Sequence, residues 1–128
     1  MDFCEIYDVK KVYYDRYNSS QLVIDLMESG VKMEGFGQGF VSMNAPTKEF
    51  ERLVWTHKIN NQGNPVLRWM LSNVEIQTDA AGNIKVDKGK STDKVDGIVA
   101  TVMALAGKIG DGELEEEFIY NKNDILIL

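Results

Sequence analysis

With 128 residues, 44% of them hydrophobic and 27% charged, the chain is long enough to bury a core without disulfides or a structural metal. A single cysteine, Cys4, excludes a disulfide framework within one chain, and the apolar stretch from Gly97 to Gly107 is too short to span a bilayer. The formal charge of −6 argues at first sight against a nucleic-acid binder, but its distribution matters more.

From Asp111 to Leu128 six acids accompany one base, which leaves the preceding residues at a net charge of −1. The chain is therefore read as a near-neutral body, residues 1–110, and an acidic C-terminal segment, residues 111–128. Its first residues (MDFCEIYDVKK) lack the basic-then-apolar layout of a signal peptide, so a cytosolic setting is expected.

In chain order, Val9 to Tyr14 (VKKVYY) is β-rich and closes on Asp15, which predicts a strand ending in a polar turn. Asn18 or Ser19 is placed to cap a helix through QLVIDLMES, where Leu22, Val23, Leu26 and Met27 recur at helical spacing before Gly30 ends it. The run VKMEGFGQGFVSM predicts a short strand and a glycine-rich loop, completing a β–α–β unit with parallel strands.

Pro46 and Thr47 are expected to open a second helix, with Phe50, Leu53, Val54 and His57 on one face. Asn64-Pro65 reads as an N-cap followed by proline at the first helical position, starting VLRWMLS. Val74 to Thr78 and Ile84 to Asp87, joined by DAAGN, predict a hairpin. Ser91 or Thr92 is expected to cap the last helix, which runs to about Gly107. Trp55 and Trp69 fall on helices and are expected in the core. FIYNKNDILIL, beyond an acidic link, is read as a strand or hairpin.

Asp15 stands where ligands bind in open α/β sheets, beyond the carboxyl end of a strand. A turn or cap aspartate is the commoner role for that residue type. On the last helix, at about 100° per residue, Val95, Ile98, Val99, Val102, Ala106 and Ile109 form an apolar stripe. Asp93, Asp96, Ala100, Ala104 and Gly107 form an adjacent strip of acidic and small residues. Asp96 borders the buried stripe, where a carboxylate needs a partner; a divalent cation is one, and the positive end of the helix dipole is another. Lys85, Lys88, Lys90 and Lys94 form a local basic group, read either as a solvated loop or as a contact for DNA phosphates. GFGQGF lacks the spacing of a phosphate-binding loop, and the single histidine, His57, excludes a zinc site built on paired histidines.

Four strings, YDRYNSSQLV, QGFVSMNAPTKEFERL, NPVLRWMLSNV and GNIKVDKGKSTDKVDGIVATVMAL, occur in order between residues 9 and 107. Together they resemble the C-terminal part of the nuclease domain of phage terminase large subunits. The resemblance implies an α/β, partial ribonuclease H-like fold, a mixed sheet flanked by helices that lacks the family's first strands and the aspartate they carry. The implied function is that of a fragment of a metal-dependent endodeoxyribonuclease that cuts concatemeric double-stranded phage DNA during packaging. Two divalent ions, Mg2+ or Mn2+, are held there by aspartates. The DRYN-type turn assigns one ligand to Asp15 and the KVDGIVA-type helix another to Asp96, with Asp93 auxiliary. The family often carries a histidine where Asn61 stands.

The same resemblance implies the terminase small subunit and the portal as partners and the bacterial cytoplasm as location, with no membrane. With its first strands missing, the fragment is expected to cut DNA weakly or not at all. Strand 9–14 would then be an exposed edge that recruits a second copy of the chain. The alternatives are a non-catalytic DNA- or protein-binding remnant of the packaging machinery and an unrelated small α/β interaction protein. The nuclease reading expects Asp15 and Asp96 to meet at a common cation; the unrelated protein would not bring them together.

Overall fold

The computed structural model describes residues 3–18 and 20–111, and these group into two units, Met1–Gln38 and Gly39–Leu128. Ser19 and the expected C-terminal strand or hairpin lie outside the described residues. No helix among the described residues is long and apolar enough to cross a membrane.

The first unit opens with a single helical turn, α1 (Phe3–Ile6), then strand β1 (Val12–Asp15), a 3-10 turn (Arg16–Asn18), helix α2 (Gln21–Glu28) and strand β2 (Met33–Phe36). β1 and β2 pair in parallel from Val12 opposite Met33 to Asp15 opposite Phe36, so the predicted β–α–β unit is present. β1 is shorter than the strand expected over residues 9–14. The Val9 N–H turns back to the Tyr7 carbonyl, and the ladder starts only where the Val12 N–H meets the Lys32 carbonyl. The edge thought to recruit a second copy is therefore four half-buried residues long. Across the ladder Tyr13 meets Phe36 edge to face at 6.0 Å, and Lys11 pairs with Glu34 at 2.7 Å.

The N-cap of α2 is Ser20 rather than Asn18 or Ser19, and its side chain makes no capping bond. Asn18 is used in the preceding 3-10 turn. The C-terminus closes as the sequence predicts. Gly30, at φ +89°, gives its N–H to the Met27 carbonyl, and the Val31 N–H reaches the Leu26 carbonyl. That reversal needs the left-handed backbone that glycine adopts without strain.

The second unit contains α3 (Phe40–Trp55), α4 (Pro65–Asn73), β3 (Ile76–Thr78), β4 (Ile84–Val86) and α5 (Asp96–Asp111). Parallel and antiparallel pairing both occur, but on two separate two-stranded sheets, β1–β2 and β3–β4. α3 starts at Phe40, six residues before the proline expected to open it. Met43, Pro46, Thr47, Phe50 and Leu53 recur at helical spacing and are all buried, on a helix that packs against α5 and β4. That packing overrides both the strand preference of FVSM and the cost of an interior proline, which leaves the Ser42 carbonyl without its helical donor.

His57 is not on the α3 face. It lies beyond the helix at φ 55°, donating to the Val54 carbonyl while the Lys58 N–H donates to the Leu53 carbonyl. Trp55 and Trp69, expected in the core, are 76% and 45% exposed. Neither belongs to the buried set of its helix. Asn64 caps α4 as expected, its Oδ1 accepting from the Val66 and Leu67 N–H groups at 3.0 and 3.1 Å.

α5 starts at Asp96, not near Ser91 or Thr92. Ser91 is engaged elsewhere: its hydroxyl accepts from the Glu75 N–H and donates to the Asp87 carbonyl. The predicted apolar stripe of α5 forms the core, with Val95, Ile98, Val99 and Val102 buried, and Met103 joining them.

Thr47 is 1% exposed, and its hydroxyl has no hydrogen-bond partner among the described residues. Leaving a buried hydroxyl unsatisfied costs about 1–3 kcal/mol. Thr47→Val is therefore expected to raise unfolding stability by about 1 kcal/mol in urea titrations; a loss of that size would mean that the hydroxyl has a partner.

The β3–β4 turn gives a pH-dependent outcome. The Asn83 side-chain amide, followed by backbone N–H groups of the turn, holds the Asp79 carboxyl below its ordinary 3.8. A carboxylate lowered in the folded state stabilises fully above its unfolded value, and the contribution is lost as pH falls through the folded value. The stability difference between wild type and Asp79→Ala should be constant near neutrality and shrink below about pH 4. A difference that persists unchanged to low pH would contradict this.

Candidate functional site

The β–α–β connection places Asp15 at the last position of β1, at the carboxyl end of a parallel strand. Its Oδ1 accepts the Tyr17 N–H at 3.1 Å, starting the 3-10 turn. Asp15 thus fills both roles open to it in the sequence, a turn aspartate and a carboxylate at a strand's carboxyl end. The Arg16 guanidinium stacks over the Tyr17 ring at 5.4 Å. Opposite this turn, a Cβ on Gly35 would lie 3.0 Å from the Arg16 Cβ and 3.4 Å from the Tyr14 hydroxyl, so a side chain there would crowd Arg16.

Asp96 is the first residue of α5 and is exposed. The expected desolvation at the border of the apolar stripe is not found: burial begins on its two sides, at Val95 and Ile98. Asp93 precedes the helix, and its Oδ1 accepts the adjacent Lys94 N–H at 2.8 Å. The acidic and small strip is shorter on the helix than predicted, because Asp93, though exposed like Asp96, Ala100 and Ala104, precedes α5, and Gly107 is buried.

Lys88, Lys90 and Lys94 are exposed on the loop that leads from β4 to Asp96. The Asp87 carboxylate shapes that loop by accepting the Gly89 and Lys90 N–H groups, each at 2.9 Å. Lys85 stands apart from them on β4, its Nζ 4.7 Å from the centre of the Phe40 ring.

The start of α5 is held by α4, a feature that the sequence reading did not single out. The Gly97 N–H donates to the Met70 Sδ at 3.3 Å, and a Cβ on Gly97 would lie 2.8 Å from that sulfur and 3.2 Å from the Leu67 Cδ1. The buried Asn73 amide donates to the Lys94 carbonyl at 3.0 Å, and the Thr92 N–H donates to the Asn73 carbonyl at 3.2 Å. Leu67, Met70 and Asn73 follow each other at three-residue intervals on one face of α4, which was the available signal. Asn61 is buried with its Oδ1 accepting the Gly63 N–H at 3.0 Å.

Carboxylate oxygens are the donors that magnesium and manganese take, so Asp15 and Asp96 fit such an ion in ligand type. They fall in different units, and no group of three or more His, Cys, Asp or Glu gathers among the described residues.

A family model described as terminase large subunit, endonuclease domain, matches residues 3–111. Over 121 residues the chain is 32% identical to the terminase large subunit of Enterobacteria phage HK97, covering 91% of this chain and 24% of that protein. It is 26% identical over 114 residues to protein YmfN of Escherichia coli strain K12, covering 88% of this chain and 23% of that protein. The crystal structure of the HK97 bacteriophage large terminase matches with a TM-score of 0.72 at 32% identity, covering 82% of this chain and 23% of that one. The chain thus spans about a quarter of the length of these curated relatives. Its α/β arrangement agrees with the partial ribonuclease H-like fold expected.

Alanine at a helical glycine ordinarily adds about 1 kcal/mol. At Gly97 the added methyl must displace the Met70 sulfur, so Gly97→Ala is expected to lower stability by about 1 kcal/mol in the wild type and to raise it in a Met70→Ala background. A stabilising Gly97→Ala in the wild type would show that the approach of α4 is not tight.

Proposed function

The chain belongs to the terminase large-subunit endonuclease family, and from that premise we propose that it is part of a nuclease that cuts double-stranded DNA during phage packaging. In this reading Asp15 and Asp96 supply carboxylates to Mg2+ or Mn2+, with Asp93 auxiliary. Such ions, when bound, polarise a phosphoryl oxygen and activate water for attack on the phosphodiester. Support comes from the positions of the two aspartates within the family match: one closes β1 and the other opens α5. A carboxylate at the end of a regular element has its backbone fixed, which a ligand needs.

Lys88, Lys90 and Lys94, on the loop before Asp96, are the residues proposed to meet DNA phosphates. Lys85 is a weaker member of that group, because its ammonium lies against Phe40. The terminase small subunit and the portal are the proposed partners, and the bacterial cytoplasm the proposed location.

A second reading, a DNA-binding module without catalysis, is favoured by the exposure of the same lysines, since phosphate contact requires no carboxylate. One set of titrations separates the two. If the nuclease reading holds, manganese broadens backbone resonances around Asp15 and Asp96. Asp15→Asn or Asp96→Asn then weakens manganese binding at the altered position by about tenfold or more, or about 1.4 kcal/mol. Plasmid cleavage by this chain is expected to be slow, with its small ligand set. DNA binding that depends on Lys88, Lys90 and Lys94, with no manganese response dependent on Asp15 or Asp96, would replace the nuclease reading with the second.

A further inference from the structure

The first N–H groups of any α-helix lack an intrahelical acceptor and are usually satisfied by a side chain just before the helix. The residue preceding α5 is Val95, whose side chain offers no acceptor. Its carbonyl takes the Ile98 and Val99 N–H groups, each at 3.0 Å. The Gly97 N–H, one residue from Asp96, goes instead to the Met70 sulfur at 3.3 Å. Met70 therefore caps α5 from another helix. Asn73, one turn further along α4, holds the Lys94 carbonyl on the other side of Asp96. The backbone that carries the Asp96 carboxylate is thus gripped at the residue after it and two residues before it, by one face of α4.

We infer that Met70 is a positioning residue for Asp96: its sulfur and the glycine it meets set the start of α5, and with it the point from which Asp96 reaches a divalent cation. The inference rests on the reading of Asp96 as a metal ligand. The absence of a side chain on Gly97 belongs to the same device, because a Cβ there would lie 2.8 Å from the sulfur. A thioether is a weak acceptor on a flexible arm, and replacing it with a hydrocarbon of similar volume is an exchange that protein interiors tolerate.

The test uses the whole chain with Mn2+ alone as the probe, and compares wild type with Met70→Leu, Met70→Gln and Asp96→Asn. Two quantities are read: exchange of the Gly97 amide proton with solvent, and the manganese concentration that half-broadens resonances next to Asp96. Met70→Leu keeps the volume and removes the acceptor; Met70→Gln supplies an oxygen at similar reach. The expected result is that Met70→Leu speeds Gly97 exchange about tenfold and weakens manganese binding at Asp96 several-fold, and that Met70→Gln restores both. If Met70→Leu does not fold, wild-type manganese binding by Met70→Gln is the supporting result, and weakened binding by that variant, in which an acceptor is present, overturns the inference. If Met70→Leu binds manganese like the wild type while Asp96→Asn does not, Met70 is only structural and the inference is wrong. If wild type itself has no response dependent on Asp96, the ligand reading fails and the inference falls with it. The exchange measurement identifies that case, since it reports the cap separately.

Discussion

The second unit depends on how closely α4 can approach α5. Gly97 has no Cβ, so the Met70 sulfur reaches its N–H and the Leu67 side chain fits beside it. The same face of α4 ends in Asn73, whose amide and carbonyl tie down the segment that enters α5. Once that end is fixed, Val95, Ile98, Val99 and Val102 are presented to the core, where α3 lies against α5 with its own stripe of Met43, Thr47, Phe50 and Leu53. A methyl added at Gly97 would have to displace the Met70 sulfur from the Gly97 N–H, so the glycine and the thioether are matched at this contact.

The first unit works through a different constraint. A parallel pair of strands needs a crossover, and α2 supplies it between two short strands that end at Asp15 and Phe36. Asp15 makes the turn with one oxygen, by accepting the Tyr17 N–H, and it does so at the end of the ladder where its backbone is already held. Gly35 lets the two strands lie together at that end. In both units, then, an aspartate is set at the terminus of a regular element, and a glycine on it or opposite it makes the close approach. This shared construction supports the proposal that Asp15 and Asp96 are ligands rather than incidental surface acids.

Much of this was legible from residue order. The Asn64-Pro65 cap, the Gly30 stop, the β–α–β unit, the β3–β4 hairpin and the buried stripe of α5 each rest on a local rule that the surroundings did not override. The misreadings came where tertiary contacts decide. FVSM looks like strand, but Met43 belongs to a stripe continued by Thr47 and Phe50, and packing against α5 made it helical through an interior proline. Ser91 looks like a cap, but the hairpin takes its hydroxyl, and α5 starts later with its Gly97 N–H on Met70. Trp55 and Trp69 look like core because of their size, yet they fall off the buried faces. For the candidate site, Asp15 at the end of β1 was readable; Asp96 as the first residue of α5 was not, because the contacts that set that start pair residues 27 and 21 positions apart.

The proposal that Asp15 and Asp96 are each ligands of a divalent cation joins these observations. Crystals soaked in manganese and measured for anomalous scattering would test it most directly. The account predicts manganese density bonded to carboxylate oxygens of Asp15 and Asp96, at about 2.2 Å. Manganese bound only elsewhere on the protein, with both carboxylates hydrated and uncoordinated, would contradict it.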